Sequence, residues 1–284
     1  MIRTALRHHA PTELAEAVAL LDTYAERAAV LGGGTMLVPR LTRGDVDLDH
    51  VIDLRRLGFG AATVTAGSVH VGARVTYAHL LAASAFPGAA QLLQRVAGGI
   101  TGGPQIRCQG TICGSAAYAN PSTEVPAALV ALDATMHLHG PGGPRSIPAA
   151  AFFLDAYSVD LRRGELLTGV TVAARAARLG YYKLKLAEGS WPIATAAAVL
   201  PPAGVGYTGA VVTLGAISTR PIRLDLAPML DDSGRLPSDA DLDDWVAEQI
   251  GEPWDDELAP GSYRRMVAGV VLRRALHRAL EENR

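Results

Sequence analysis

AAVLGGGTMLVP, residues 28–39, joins a short apolar strand to three successive glycines and a threonine. Because glycine carries no Cβ, the backbone N–H groups of Gly32, Gly33 and Gly34 can approach a ligand closely. A helix that follows such a turn adds the positive end of its dipole, and both features favour a phosphate group. A tight structural turn is the alternative, and it is the simpler interpretation of this stretch taken alone. The stretch lacks the lysine of a Walker A loop, so it does not indicate a nucleoside triphosphate.

A second turn of this kind, GTICGS at residues 110–115, combines small residues, hydroxyl groups and unobstructed amides. It lies within residues 102–121, where Arg107 is the only charged residue, and we predict that this segment is a loop in close contact with a ligand. Packing of the loop against a neighbouring element is the alternative. Two turns suited to pyrophosphate in one chain favour a clamp for a dinucleotide over either turn alone.

Length, composition and charge exclude several classes of protein. A chain of 284 residues is long enough for about two domains, and 49% hydrophobic against 19% charged residues can form a real core. The formal net charge of −2 disfavours a protein that binds nucleic acid. Residues 1–9 contain no apolar segment typical of a signal peptide, so we expect a cytoplasmic location.

Residues 189–219 carry no charge and are long enough on paper to cross a bilayer. PPAGVG at residues 201–206 breaks a helix, so we predict no membrane span but a hairpin of two buried strands, Ile193–Leu200 and Gly209–Ile217. GVGYTG at residues 204–209 matches the dinucleotide-binding pattern GxGxxG, which requires a helix directly afterwards. The residues that follow indicate a strand, so we interpret this match as coincidental.

The remaining motifs of catalysis and metal binding are weak. His137 and His139 share one face of a strand but have no third ligand nearby, so we expect no metal site. Cys108 and Cys113 are too few for an iron–sulfur cluster or a disulfide-rich fold, and we interpret both as small buried residues. No GxSxG or HExxH motif is present, which disfavours hydrolases. No catalytic residue is identified.

Periodicity predicts a mixture of helices and hairpins, which indicates an α+β fold. The first helix is predicted over Thr12–Arg27, with Thr12 as its cap. Other helices are predicted over 77–83, 89–98, from Ser122 or Thr123 to Leu132, over 239–250 and over 263–280. Strands are predicted over 28–31, 51–54, 135–138, 165–172 and 181–186, besides a hairpin over 63–73 and the one described above.

Five motifs, in chain order, resemble one known family. LGGGTMLVP (31–39) is similar to the family's AGGTxLxP loop, GPQIRCQGTICGS (103–115) to its PQxRNxGTIGGN loop, and NPSTEVPAAL (120–129) to the PxSDxxPAL continuation. YYKLK (181–185) is similar to its YxKxxR segment and LGAISTRPIR (214–223) to its C-terminal domain. On these motifs the chain resembles the FAD-binding medium subunit of the molybdenum hydroxylases, the xanthine dehydrogenase and carbon monoxide dehydrogenase family.

The resemblance implies a fold and a division of the chain. A two-part FAD-binding domain of the PCMH type (vanillyl-alcohol-oxidase-like) would occupy residues 1–57 and 58–176. A smaller α+β domain of the carbon monoxide dehydrogenase flavoprotein type would occupy residues 177–284. The connector of small residues at 173–179 agrees with the second boundary.

FAD is the cofactor that the resemblance implies. The two glycine turns would face each other across its diphosphate and donate backbone hydrogen bonds. The residues concerned are Val30, Leu31, Gly32, Gly33, Gly34, Thr35, Met36 and Leu37 in the first turn, and Thr111, Ile112, Cys113, Gly114 and Ser115 in the second.

Further cofactor contacts follow from the same resemblance. Glu124 would contact the adenosine portion, since a carboxylate accepts hydrogen bonds from hydroxyl groups. Leu167 and Lys183 match other contacts of the family, and Thr101 would flank the flavin. Trp191 is our own candidate for a ring that covers the isoalloxazine, with a core tryptophan as the alternative.

Four residues depart from the family's motifs. Cys108 replaces Asn, Cys113 replaces Gly, Ser115 replaces Asn and Glu124 replaces Asp. A Cβ at position 113 would narrow the approach to a phosphate unless the dihedral angles of that residue are ordinary.

The resemblance implies an electron-transfer subunit of a three-part complex. FAD would receive electrons from an iron–sulfur small subunit and pass them to NAD⁺, O₂ or a quinone, while a molybdopterin large subunit would bind the substrate. A stand-alone FAD-dependent oxidase or dehydrogenase of the same fold is the first alternative. A scaffold that has lost the cofactor, motivated by Cys113 and Ser115, is the second.

Overall fold

The computed structural model describes residues 5–231 and 235–281, so part of the segment on which the signal-peptide prediction depends, residues 1–4, lies outside the described residues. The described chain is a mixture of helices and strands, which confirms the α+β prediction. Within the described ranges no helix is both long and apolar enough to cross a membrane. The cytoplasmic location stays a prediction.

A three-stranded parallel sheet begins the fold. Its strands are β1 (Arg7–His9), β2 (Ala28–Leu31) and β3 (His50–Asp53), in the order β1-β3-β2. The helices α1 (Leu14–Tyr24) and α2 (Leu37–Arg43) make the connections between them. Since α2 follows β2 after a short turn, the three glycines lie at the carboxyl end of a strand. The predicted cap is wrong: α1 begins at Leu14 after Glu13, and no side chain caps it.

A five-stranded antiparallel sheet and a layer of helices follow. The strands are β4 (Ala62–Val64), β5 (Ser68–Gly72), β6 (Thr135–Gly140), β7 (Gly143–Pro148) and, after the small pair β8 (Phe153–Asp155) and β9 (Ser158–Val159), β10 (Leu166–Ala173), in the order β4-β5-β10-β6-β7. The helices are α3 (Tyr77–Ala82), α4 (Gln91–Gly99), α5 (Gly103–Gln109), α6 (Ile112–Tyr118), α7 (Val125–Ala131) and α8 (Ala149–Phe152).

The prediction that residues 102–121 form a loop is wrong, because α5 and α6 occupy most of this segment. Its small residues conceal both helices from an analysis of hydrophobic periodicity. Pro104 in the first turn of α5 and Thr111 as the cap of α6 start the two helices, and Gly110 separates them.

A four-stranded antiparallel sheet with two helices completes the chain. Its elements are β11 (Arg178–Lys185), β12 (Pro192–Leu200), β13 (Val211–Gly215), β14 (Ile222–Asp225), α9 (Asp239–Gln249) and α10 (Gly261–Glu281). The predicted hairpin is confirmed, since β12 and β13 pair antiparallel. The GxGxxG match at 204–209 precedes β13 and opens no helix, as the sequence predicts.

Two hydrophobic clusters form the core. The larger one packs the helices of the middle region against the five-stranded sheet, and the smaller one packs α9 and α10 on the C-terminal sheet. Helix α7 is buried along its whole length and also packs against β12 and β13, so it joins the two regions. Each of the three large sheets lies within one of the three expected ranges, which we retain as the proposed domain division.

Candidate functional site

The two glycine turns are in contact. A Cβ on Gly33 would overlap the carbonyl oxygen of Gln109, in the residue before Gly110, so the two backbones touch at this point. A Cβ on Gly32 would lie 3.5 Å from Thr111 Oγ1. Gly34 has φ +75°, a left-handed conformation that favours glycine and turns the chain into α2. Residues about 80 positions apart in sequence therefore form one wall.

A cavity of about 320 Å³ lies between the turns. It is lined by most of the residues predicted for a diphosphate site: Val30, Gly32, Gly33, Gly34, Thr35, Met36, Leu37, Thr111, Cys113, Gly114 and Ser115. Leu167, predicted as a further cofactor contact, lines it too. Leu31 and Ile112 do not line it, and the side chain of Ile112 is buried in the core.

The backbone amides of the two turns are not equivalent. The N–H of Gly114 donates to Thr111 Oγ1 at 2.9 Å, so the Thr111 side chain caps α6 and already occupies this amide. Within the described residues, no acceptor is assigned to the N–H groups of Gly34, Thr35, Ile112 and Cys113. The first N–H groups of a helix have no partner inside the helix, so the Cys113 amide is a donor available at the cavity, and the Gly34 and Thr35 amides of the first turn are others.

Two of the departures from the family's motifs leave the cavity open. Cys113 is helical and buried, and its Sγ lies 4.0 Å from the carbonyl oxygen of Val71, so its side chain belongs to the core. Burial raises the pKa of the Cys113 thiol to about 12. The hydroxyl of Ser115 is hydrogen-bonded to that of Tyr77. Cys108 is exposed, so the prediction of a buried residue is right for Cys113 and wrong for Cys108.

A second and larger cavity, of about 1050 Å³, contains Thr101 and Lys183 in its lining. Lys183 Nζ forms an ion pair with Glu124 and donates to the carbonyl oxygen of Gly99 at 3.1 Å. The side chains of Lys183 and Glu124 are only 8% and 6% exposed, so each charge depends on the other. The lining also contains the cationic residues Arg95, Arg107, Lys185 and Arg278 and the carboxylates Glu188 and Glu281, and Lys185 pairs with Glu188 at 2.7 Å.

Tyr181 belongs to the same cavity lining and contains an orphaned polar atom. Its hydroxyl is buried and finds no hydrogen-bond partner in the described part of the chain. Burial raises the pKa of Tyr181 well above its usual value, so the hydroxyl is a neutral donor. Since an unsatisfied buried hydroxyl costs free energy, an acceptor atom of a ligand would stabilise it here.

Trp191 lies directly before β12, is half-buried and lines neither cavity. Two residues that the sequence analysis missed, Arg40 and Tyr118, line the smaller cavity. The guanidinium of Arg40 lies 5.9 Å from the centroid of the Tyr118 ring. Helical spacing from the glycine turn could have identified Arg40, whereas nothing in the sequence places Tyr118 beside it.

The chemistry of the donors suits the diphosphate of a dinucleotide. Unobstructed amides and one guanidinium line the smaller cavity, and its carboxylate, Glu165, is occupied on both oxygens by Arg145 at 2.7 Å. That ion pair keeps the pKa of Glu165 below its usual value, although Arg145 is shared with Asp160. The cavity therefore favours an anion.

Comparisons with known proteins agree with this geometry. The family model described as "FAD binding domain in molybdopterin dehydrogenase" matches residues 4–174. The chain is 34% identical over 283 residues to the carbon monoxide dehydrogenase medium chain of Afipia carboxidovorans, covering 98% of each. It is 31% identical over 287 residues to the medium chain of Hydrogenophaga pseudoflava, again covering 98% of each.

Solved structures show the same likeness. Carbon monoxide dehydrogenase from Hydrogenophaga pseudoflava that lacks the Mo-pyranopterin moiety matches with a TM-score of 0.89 and 30% identity, over 99% of both chains. Quinoline 2-oxidoreductase from Pseudomonas putida 86 matches with a TM-score of 0.87 and 26% identity, over 99% of both chains.

Proposed function

This chain belongs to the family of FAD-binding domains in molybdopterin dehydrogenases, and from that membership we propose that it passes electrons from an iron–sulfur subunit to an acceptor outside the complex. FAD is its cofactor, and it is an oxidoreductase subunit of the medium-chain type. The proposed partners are a small iron–sulfur subunit and a large molybdopterin subunit. The names of its relatives as medium chains of dehydrogenases support a complex with larger and smaller chains.

One observation carries the proposal: the two glycine turns share one cavity, and each contributes backbone amides that have no acceptor among the described residues. Gly33 and Gly114 both line it, although they are far apart in sequence. Two turns with only a structural role need not line the same cavity. Two turns that bind one dinucleotide diphosphate must do so, because they donate to it from two sides.

The chain's own residues bind and orient the cofactor. The amides of Gly34, Thr35 and Cys113 are the proposed donors to the diphosphate, and Lys183, paired with Glu124, lines the larger cavity. When bound, FAD supplies the exchange between single electrons from an iron–sulfur centre and the electron pair taken by NAD⁺, O₂ or a quinone. The protein supplies position and electrostatics, and no general acid or base is required for that exchange.

The test is to purify the tagged chain from its own cells under mild conditions. We expect flavin absorbance with one FAD per chain, and two further polypeptides that carry iron and molybdenum. A colourless chain that takes up no FAD would contradict the cofactor site. If the chain is yellow, purifies without partners and oxidises a small molecule by itself, the proposal is wrong and the chain is a stand-alone flavin enzyme.

A further inference from the structure

Arg40 carries a charge that no carboxylate in the described part of the chain compensates. It lies in α2 and lines the smaller cavity, and no carboxylate of the described residues comes within ion-pair distance of it. Arg43, three residues further along the same helix, is paired with Asp45 at 2.7 Å. An unpaired guanidinium on the wall of a partly enclosed cavity favours an anionic ligand.

The position of the Arg40 side chain is defined by packing. Its guanidinium lies over the ring of Tyr118, 5.9 Å from the centroid, and Tyr118 packs edge-to-face on Tyr157 with 5.3 Å between ring centroids. Side chains of a helix lean towards its N-terminus, which for α2 is the end that follows the glycine turn. This contact places the guanidinium beside the Tyr118 ring on the cavity wall.

The charges around the cavity leave one role for Arg40. Glu165, the other charged residue of the described lining, is held on both oxygens by Arg145, which also pairs with Asp160, so Glu165 already has its partner. The lining therefore presents a guanidinium with no carboxylate of the described residues within ion-pair distance, together with the unpaired amides of the turns. We propose that Arg40 binds the FAD diphosphate directly, as a contact outside both glycine turns. This inference rests on the proposed function and adds a cationic residue to the site.

Flavin-free protein titrated with FAD tests the assignment, with Arg40→Gln as the variant and Arg43→Gln as the matched control. Both changes remove one arginine charge from the same helix, but only Arg40 lines the cavity. We expect Arg40→Gln to raise the Kd for FAD by about tenfold or more, the effect of losing one charge-assisted hydrogen bond. Arg43→Gln should stay within about twofold of the wild type, as an exposed ion pair contributes little.

Two competitors separate the diphosphate from the purine. ADP and adenosine share the purine and ribose, and only ADP has the diphosphate. Arg40→Gln should raise the Kd for ADP by about the same factor as the Kd for FAD, and it should leave the Kd for adenosine unchanged. In the wild type, a higher salt concentration should lower the affinity for ADP but not the affinity for adenosine. This measurement needs no variant.

The outcomes that overturn the inference are distinct from failure of the proposed function. Equal Kd values for Arg40→Gln and Arg43→Gln, or a wild-type affinity for ADP that salt does not alter, would remove Arg40 from the diphosphate site. Equal losses for ADP and adenosine would move Arg40 to the purine and refute the proposal as stated. A wild-type chain that takes up no FAD would instead contradict the function.

Discussion

Gly33 is the residue at which the two turns touch, and its lack of a side chain has a structural reason as well as a functional one. We expect Gly33→Ala to push the turn away from Gln109 and to lower the free energy of unfolding by about 1–3 kcal/mol, the usual cost of overpacking. It should also lower the affinity for FAD, because the backbone amides of the two turns move apart. Thermal unfolding and FAD titration measure the two effects.

Gly67→Ala is the matched control for this prediction, since a Cβ at Gly67 meets no atom within 4 Å. It should change neither quantity measurably. If Gly33→Ala is as stable as the control and binds FAD equally well, the contact between the turns does not shape the site.

The two cysteines should differ in reactivity. Cys108 is exposed, whereas burial raises the pKa of Cys113 to about 12, so its thiolate is scarce at neutral pH. Iodoacetamide at pH 8 followed by peptide mass spectrometry should show modification of Cys108 and none of Cys113 in the native chain. Denatured protein should show both. Rapid modification of Cys113 in native protein would mean that its side chain faces the cavity and not the core.

At the scale of elements, α6 links stability to the cofactor site through its cap. Thr111→Ala removes the oxygen that accepts from the Gly114 N–H and should cost about 1 kcal/mol of unfolding free energy. It should also lower the affinity for FAD, because α6 begins at the cavity wall. Thr111→Ser keeps the hydroxyl and should restore both. Denaturant unfolding and FAD titration measure the outcome.

Ser238 is the matched control for that cap. It caps α9, outside the lining of both cavities, by accepting from the Asp241 N–H at 3.3 Å. Ser238→Ala should lower stability comparably and leave the Kd for FAD unchanged. An unchanged Kd in Thr111→Ala, with reduced stability, would show that the start of α6 does not contribute to the site.

At the scale of the whole molecule, a polar network ties the C-terminal region to the middle one. Ser122 Oγ donates to Asp256 at 2.6 Å, and Asp256 pairs with Arg264, which is fully buried. Arg264 also donates to the carbonyl oxygens of Ile193 and Ala216, at 2.6 and 2.7 Å. Ser122 belongs to the motif that precedes α7, so the network connects the cofactor-binding region to the sheet that carries Lys183.

Asp256→Asn should therefore destabilise the whole chain. The variant leaves the Arg264 charge without its carboxylate, at a cost of about 2–4 kcal/mol, reduced by the partial exposure of Asp256. Burial alone would raise the pKa of Asp256, but hydrogen bonds from Ser122, the Leu258 amide and Trp254 bring it below the usual value. Its contribution is thus present at neutral pH and lost as the pH falls through the lowered pKa.

Melting temperatures of the wild type and Asp256→Asn, measured from pH 7 down to about pH 3, test this. The difference between them should be largest at pH 7 and should shrink below about pH 4, where this carboxylate begins to take up a proton in the unfolded wild-type chain, and further as the pH falls through the lowered pKa of the folded state. A difference that does not change with pH would mean that charge is not the reason for the loss.

Much of the fold could be predicted from local patterns. The sequence periodicity predicts helices with an apolar face, such as α1 and α4. It also predicts strands that alternate between apolar and polar residues. The failures are local too: the start of α1 has no capping side chain, and α5 and α6 consist of small residues with little periodicity.

The sequence by itself determined the α+β class, the two glycine turns and, through its motifs, FAD as the cofactor. Only the tertiary structure decided that the two turns touch at Gly33, that Arg40 lines the cavity with no carboxylate of the described residues within ion-pair distance, and that Glu124 pairs with Lys183. The physical reason is the distance along the sequence over which each kind of interaction acts. Conformation along the chain follows from neighbouring residues, whereas the partner of a charge or an amide depends on segments that meet only when the core packs.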